Sequence, residues 1–247
     1  METGQKIHII QFTKSEHNYL SDHDEFFRIT TAYSYAHKTM NNSGIVCPRW
    51  ASQVPNGITN GADWYPVEGG MQDFNYLYAG TMELTMEISC CKYSHKWRLL
   101  EEWENNKESL LNFIEQVNTG IKGFVTEQSG AKPSAIEGNH IEVRARKAGS
   151  GKWRKIWSKT EPTELGNAYW KILNDGEYEV QAVEWNLDSD RSIADFRKIV
   201  RQSYMMKVQI QNDLNRGAKR LDLKLPPFPP INPRAVPELQ PERVASK

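Results

Sequence analysis

The chain lacks any surplus of charge: 31 Lys and Arg offset 31 Asp and Glu across 247 residues. That balance removes the whole-chain electrostatic case for a protein of nucleic acid or membrane surfaces. No apolar run approaches the roughly eighteen residues of a membrane span. The opening METGQKIHIIQFTKSE has no apolar core of signal-peptide length and reads as the start of a fragment or an internal initiation. Cysteine is scarce and odd in number, at Cys47, Cys90 and Cys91, which bears only weakly on compartment. Histidine is scarce too, at six. His17 and His23 flank the acidic turn SEHNYLSDHDE, which reads as a solvated entry to a helix.

What is present is concentrated between Asn56 and Cys90. In TMELTMEIS, Met82, Leu84, Met86 and Ile88 alternate with Thr81, Glu83, Thr85 and Glu87, the pattern of a strand with one polar face. Glu87 is the last carboxylate on that face. The loop before it offers Tyr65, Gln72 and Asp73 around Gly69-Gly70, where the backbone turns without a Cβ penalty. A phenol, an amide and two carboxylates converging on a strand end make a plausible polar site. An edge strand with a solvated face and a structural turn is the other reading of the same pattern.

The runs TNGADWYPVEGGMQDFNYL (Thr59 to Leu77), MEISCCK (Met86 to Lys92) and WENNKESLLNFIEQVNTGIKGFV (Trp103 to Val125) carry a resemblance. They are similar to the C-terminal half of the catalytic domain of zinc metallocarboxypeptidases, in the regulatory branch that holds carboxypeptidases D, E, M and N. The likeness runs from about Ser21 to Ala182. It implies that Glu87 is the general base that activates a metal-bound water, and that Tyr65 closes over the substrate's terminal residue. It also implies that Gln72 lies at the floor of the pocket for that residue. Asp73 is read as a structural neighbour. The cofactor it implies is zinc, held by an HxxE pair and a later histidine in an LHGG-like run; none of the six histidines here is followed three places on by Glu, and no LHGG-like run is present, so the ligands are expected to be absent from this chain. The substrates would be C-termini of peptides or proteins, Lys and Arg being the favoured residues. It implies a Cys47–Cys90 disulfide and a secretory-pathway protein; three reduced thiols and a cytoplasmic product stay open. Two functions follow: a metallocarboxypeptidase where the full zinc site is present, or an inactive fragment or partner-binding module.

The expected fold is an α/β catalytic-domain half, a mixed sheet with flanking helices, followed by a small all-β transthyretin-like sandwich. Residues 1–119 form the first part, 120–188 the sandwich, and 189–247 a helical segment with a Pro-rich tail. Helices are predicted over Asp22–Met40, with Phe26, Phe27, Ile29, Tyr33 and Ala36 buried and Ser21 or Asp22 capping, and over Trp97–Asn118. In the second helix Leu100, Trp103, Leu110, Leu111, Ile114 and Val117 are expected in the core. Strands are predicted at Ile121–Thr126, His140–Arg146, Lys152–Trp157, Ala168–Leu173 and Tyr178–Val183, with Asp175-Gly176 as a hairpin turn. His140 is read as structural. Ile193, Phe196, Ile199, Val200, Tyr204 and Val208 suggest a further helix over Arg191–Asn215. The tail LPPFPPINPRAVPELQP reads as extended and inert, or as the ligand of a proline-recognition domain.

Overall fold

The computed structural model describes residues 6–9, 20–42, 54–65, 67–128, 139–153, 158–187 and 197–227. The first part of the chain is a three-stranded sheet with helices, in the order β2-β1-β3: β1 (Lys6–Ile9), β2 (Ile58–Asn60) and β3 (Thr85–Glu87). β1 runs parallel to β2 and antiparallel to β3, with Lys6 opposite Glu87. The predicted strand over Thr81–Ile88 is thus shorter, although its apolar face is used as expected. Met82, Leu84 and Met86 pack on Phe26, Ile29, Tyr33 and Met40.

Helix α1 (His23–Ala36) supplies those aromatic and apolar residues. Asp24 and Glu25 lie in its first turn, where carboxylates oppose the helix dipole. Asp22 sits at the N-cap without capping. Its carboxylate instead accepts from the Tyr76 hydroxyl at 2.9 Å and lies 3.8 Å from Lys171 Nζ. Phe27, expected inside, is half exposed. It lies about 100° round the helix from Phe26, away from the stripe of Phe26, Ile29 and Tyr33. The helix ends at Ala36, four residues before its predicted end, because His37 is extended (φ −73°, ψ 135°). The His37 Nδ1 accepts backbone N–H groups of Thr39 at 3.1 Å and Met40 at 3.0 Å, which stabilises the turn.

Helices α2 (Gly61–Trp64) and α3 (Met71–Phe74) are single turns, and α3 widens into a π-turn over Asn75–Ala79 that ends at Gly80. Gly80 is left-handed (φ 68°), the conformation a helix terminus asks of glycine. Helix α4 (Leu99–Glu115) lies where predicted but is rolled. It buries Glu102, Asn106 and Ser109. Leu100, Trp103 and Ile114 are 71%, 55% and 63% exposed, and Leu111 and Val117 are exposed too. Of the expected residues Leu110 does pack on the core, beside Phe113, and on the same side the Tyr33 hydroxyl donates to Asn106 Oδ1 at 2.6 Å. Burial pushes the Tyr33 phenol up to about 12, so it remains a donor. Among the described residues nothing covers the apolar stripe, and no helix is long and apolar enough to cross a membrane.

Beyond Gly120 the described residues form strands and their connections only. One sheet holds β4 (Ile121–Glu127), β7 (Glu161–Thr163), β8 (Gly166–Lys171), β12 (Lys219–Arg220) and β13 (Leu223–Leu225). The other holds β5 (Asn139–Lys147), β6 (Ser158–Lys159), β9 (Gly176–Leu187), β10 (Arg197–Gln202) and β11 (Met206–Ile210). The sheets share one core, with Ile121, Val125, Tyr169 and Leu223 from the first and Val143, Tyr178, Val180 and Val208 from the second. Asp175-Gly176 is therefore no hairpin turn. β8 pairs with β4 and β7 while β9 pairs with β5, so the turn carries the chain between sheets. Lys152 and Trp153 are not strand, and residues 154–157 lie outside the described residues.

The helix predicted over Arg191–Asn215 is overturned by β10 and β11, which both pair with β9. Met206 to Ile210 alternates, with Val208 and Ile210 buried and Lys207 and Gln209 exposed, a period of two that outweighs the apolar spacing read as helical. Arg201 seals this region. It is buried against Glu184, lies 2.8 Å from Glu127, and donates to the Pro226 carbonyl at 2.9 Å. The chain then returns along β4 in two short parallel strands split by Leu221-Asp222. The close approach requires glycine: a Cβ on Gly123 would sit 2.2 Å from the Leu221 carbonyl oxygen. The Pro-rich tail beyond Pro227 lies outside the described residues.

The two parts meet through α1. The Arg28 guanidinium donates to Asn174 Oδ1 at 2.6 Å, to Thr119 Oγ1 at 2.8 Å and to Gln116 Oε1. The Asn174 backbone N–H donates to Glu25 Oε1 at 3.1 Å. Burial pulls the Arg28 pKa below its usual value, while the nearby Glu25 and Asp175 carboxylates oppose the shift.

Two predictions follow from this packing. A chain ending at Leu187 loses four strands and leaves Glu184 without Arg201, so residues 120–187 alone should be rapidly digested by protease. A fragment reaching Pro227 should resist. Equal resistance would show that β10 to β13 are dispensable. The second concerns His37, whose pKa burial pushes down to about 4, with Lys38 adding to the effect. The unfolded chain takes up this proton near pH 6.5 and the folded chain only near pH 4. Stability from neutral His37 is therefore complete above pH 6.5 and falls as the pH drops through that window, by up to about 1.4 kcal/mol per pH unit. His37→Asn keeps an acceptor and removes the titration. Its urea midpoint should vary less between pH 7 and 4.5 than the parent's; equal slopes would refute the assignment.

Candidate functional site

The site is built from two short elements. The buried Asn60 side chain accepts the Ala62 N–H at 3.1 Å, which caps α2 and directs its far end. Tyr65 follows in extended conformation, half exposed, with its ring 4.4 Å from that of Trp64 in an edge contact. Opposite it, β3 delivers Glu87, held in register by the β1 backbone. Tyr65 and Glu87 line one open cavity of about 630 Å³, with Met86, Ser89, Tyr93, Leu99 and Glu102 among its other walls. The Glu87 side chain is partly buried.

Gln72 is placed differently. It is buried and does not line that cavity; its Oε1 accepts the hydroxyl of Thr85. Thr85 and Glu87 are two apart on a strand and so share a face. Gln72 therefore braces the face that carries Glu87. Asp73 lies beside Gly70, within 3.6 Å of where a Cβ would stand. Sequence reasoning missed Tyr93, Leu99 and Glu102 as cavity walls, since only the fold brings the entry to α4 back over β3. It also missed the Ser94–Ser89 hydroxyl contact at 2.9 Å, which shapes the turn after the strand.

Cys90 is disulfide-bonded and Cys91 carries a free, exposed thiol. Cys47, the expected partner, lies outside the described residues. Among the described residues, no three His, Cys, Asp or Glu side chains gather closely enough to hold a metal ion. His95 is exposed and stacks on Trp97, while His37 faces the turn after α1. The described residues do not fit a three-ligand zinc site. What the arrangement offers is a carboxylate that can accept a proton at one wall of a cavity and a phenol that can donate a hydrogen bond at another. A second cavity, of about 580 Å³, lies where Met82, the end of α4 and Trp170 to Ile172 meet, and none of the three candidate residues lines it.

The zinc carboxypeptidase family model matches residues 1–109. Carboxypeptidase D of Anas platyrhynchos is 51% identical over 106 residues, 42% of this chain and 8% of that protein. Carboxypeptidase M of Mus musculus is 45% identical over 130 residues, 52% of this chain and 28% of that protein. Carboxypeptidase D of Drosophila melanogaster is 36% identical over 212 residues, 86% of this chain and 13% of that protein. The chain thus spans less than a third of each of these relatives. Carboxypeptidase N catalytic chains match at similar identity, 41% for that of Rattus norvegicus over 52% of this chain and 30% of that one. A solved structure of (S)-allantoin synthase aligns at a TM-score of 0.25 and 10% identity over 87% of this chain and 70% of its own, which carries no argument. Through residues 1–109 the chain belongs to the zinc carboxypeptidase family, in the branch that holds carboxypeptidases D, M and N.

Proposed function

We propose that residues 20–128 form the proton-accepting and substrate-closing side of a carboxypeptidase site that releases single C-terminal residues, with Lys or Arg favoured. The supporting observation is the single cavity lined by both Glu87 and Tyr65. Glu87 accepts the proton of the attacking water and returns it to the leaving amine. Tyr65 lies at an exposed loop end, where it can move over a bound terminus and donate from its hydroxyl. Gln72 acts through Thr85, holding the strand face that presents Glu87. The module of two sheets is read as transthyretin-like, a mount for the catalytic part. What supports a secretory route is the disulfide at Cys90, a bond that persists in oxidising compartments.

A second reading has one specific observation behind it, the lack of a metal-ligand cluster among the described residues. On that reading this chain alone is a non-catalytic partner module. The 247-residue protein is then expected to hold well under one zinc per chain and to leave peptides ending in Arg or Lys intact. Stoichiometric zinc, with cleavage abolished by a chelator, would overturn it and make this chain itself the enzyme.

The catalytic assignment is tested in a chimera in which residues 20–128 replace the matching segment of mouse carboxypeptidase M. Glu87→Gln should lower kcat about 10²–10⁴-fold with little change in KM, because shape is kept and only the proton acceptor is lost. Tyr65→Phe should cost about 0.5–1.5 kcal/mol, one hydrogen bond, because the closing ring remains. An active Glu87→Gln chimera beside a dead Tyr65→Phe one would reverse the two roles.

A further inference from the structure

The neutral total conceals a local excess. Residues 144–159, RARKAGSGKWRKIWSK, hold seven Lys or Arg and no acid. In β5, Ile141, Val143 and Ala145 enter the core, so Arg144 and Arg146 project from the opposite face. Both guanidinium carbons lie close to the Trp153 ring, 4.2 and 4.4 Å from its centre. Two flexible cations are thereby held in fixed positions beside one another. Arg144 bonds to the neutral amides of Gln181 and Gln202, and Arg146 to Glu179 at 2.7 Å. Lys159 stands opposite Glu142 on the edge strand β6, and Lys207 opposite Glu179 on β11. Lys152, Lys159 and Lys207 are exposed. Against these five cations the same face sets Glu142, which is buried, Glu179, which is tied to Arg146, and Glu177.

We propose that this face of the β5–β6–β9–β11 sheet binds a sulfated polysaccharide. Planar guanidinium forks held in place suit sulfate oxygens, which they can meet two at a time. Alternate residues of a strand lie about 6.6 Å apart, so Arg144 and Arg146 present a row that a linear polyanion can follow. Trp153 already carries two guanidinium groups, so its ring is occupied by cations rather than offered to stacked bases, which disfavours single-stranded nucleic acid. The disulfide at Cys90 fits a compartment where sulfated polymers occur. The inference does not depend on the carboxypeptidase reading, because none of these residues lines the Glu87 cavity.

The test uses the full chain and heparin as the probe. The protein should be retained on immobilised heparin at about 0.15 M salt, released as salt rises, and not retained by desulfated heparin. Lys152→Glu with Lys159→Glu should weaken heparin binding at least about tenfold, by analogy with the counterion release that drives polyanion binding. Lys96→Glu with Lys224→Glu makes the same change in net charge at exposed positions elsewhere and should leave binding unaltered. The proposal is overturned if the first pair binds heparin as the parent does, or if the second pair loses as much. It is equally overturned if duplex DNA or phosphatidylserine vesicles bind as tightly as heparin.

Discussion

One partly buried guanidinium connects the two halves of this molecule. Arg28 donates to three acceptors drawn from three places: the end of α4 at Gln116, the junction at Thr119, and the β8–β9 connection at Asn174. It does so from a helix with two occupied faces. Asp22, Glu25 and Arg28, spaced by three, face the β module through Lys171 and Asn174. Phe26, Ile29 and Tyr33 face the strand that leads to Glu87. Removing Arg28 would leave three polar groups without their shared donor at an interface largely closed to water, which is costly relative to any one bond it makes. The position of Glu87 therefore rests on the β module through α1, although no residue beyond Glu102 lines its cavity.

That dependence gives the β module a role in the account. Its Lys171 meets Asp22, which also holds the Tyr76 hydroxyl. Burial, with Asp22 adding, raises the Tyr76 pKa far above the usual phenol value, so the hydroxyl stays a donor. Tyr76 belongs to the π-turn that follows α3, the segment that brings Gln72 to Thr85. A chain of contacts thus runs from the sheets to the face that carries the carboxylate.

Much of this was legible in the sequence where local rules and packing agree. The alternation of Met82, Leu84 and Met86 gave the strand its buried face, and the spacing of Phe26, Ile29 and Tyr33 gave α1 its own. The motif around Tyr65 and Glu87 named two residues that share one cavity. The reading failed where periodicity shows a stripe but not its partner. Leu100, Trp103 and Ile114 form a true helical stripe, yet α4 turns its Asn106 face inward because Tyr33 meets it there. It failed again over Arg191–Asn215, where scattered apolar residues fit a helix but Val208 and Ile210 alternate into a core closed from a distance by Tyr178 and Leu223. Asp175-Gly176 has the composition of a hairpin turn, and only the pairing of β8 and β9 with different partners shows otherwise. The roll of a helix, here set by Asn106 together with Leu110 and Phe113, and strands completed by distant sequence are decided by tertiary partners, which no local window contains.

The claim that the β module holds the Glu87 strand in place through α1 is tested most directly by hydrogen exchange in Arg28→Met. The account predicts faster exchange at the backbone amides of Thr85 to Glu87 and in α1, while the β4, β5 and β9 amides keep their protection. Unchanged protection at Thr85 to Glu87, with α1 still loosened, would contradict it.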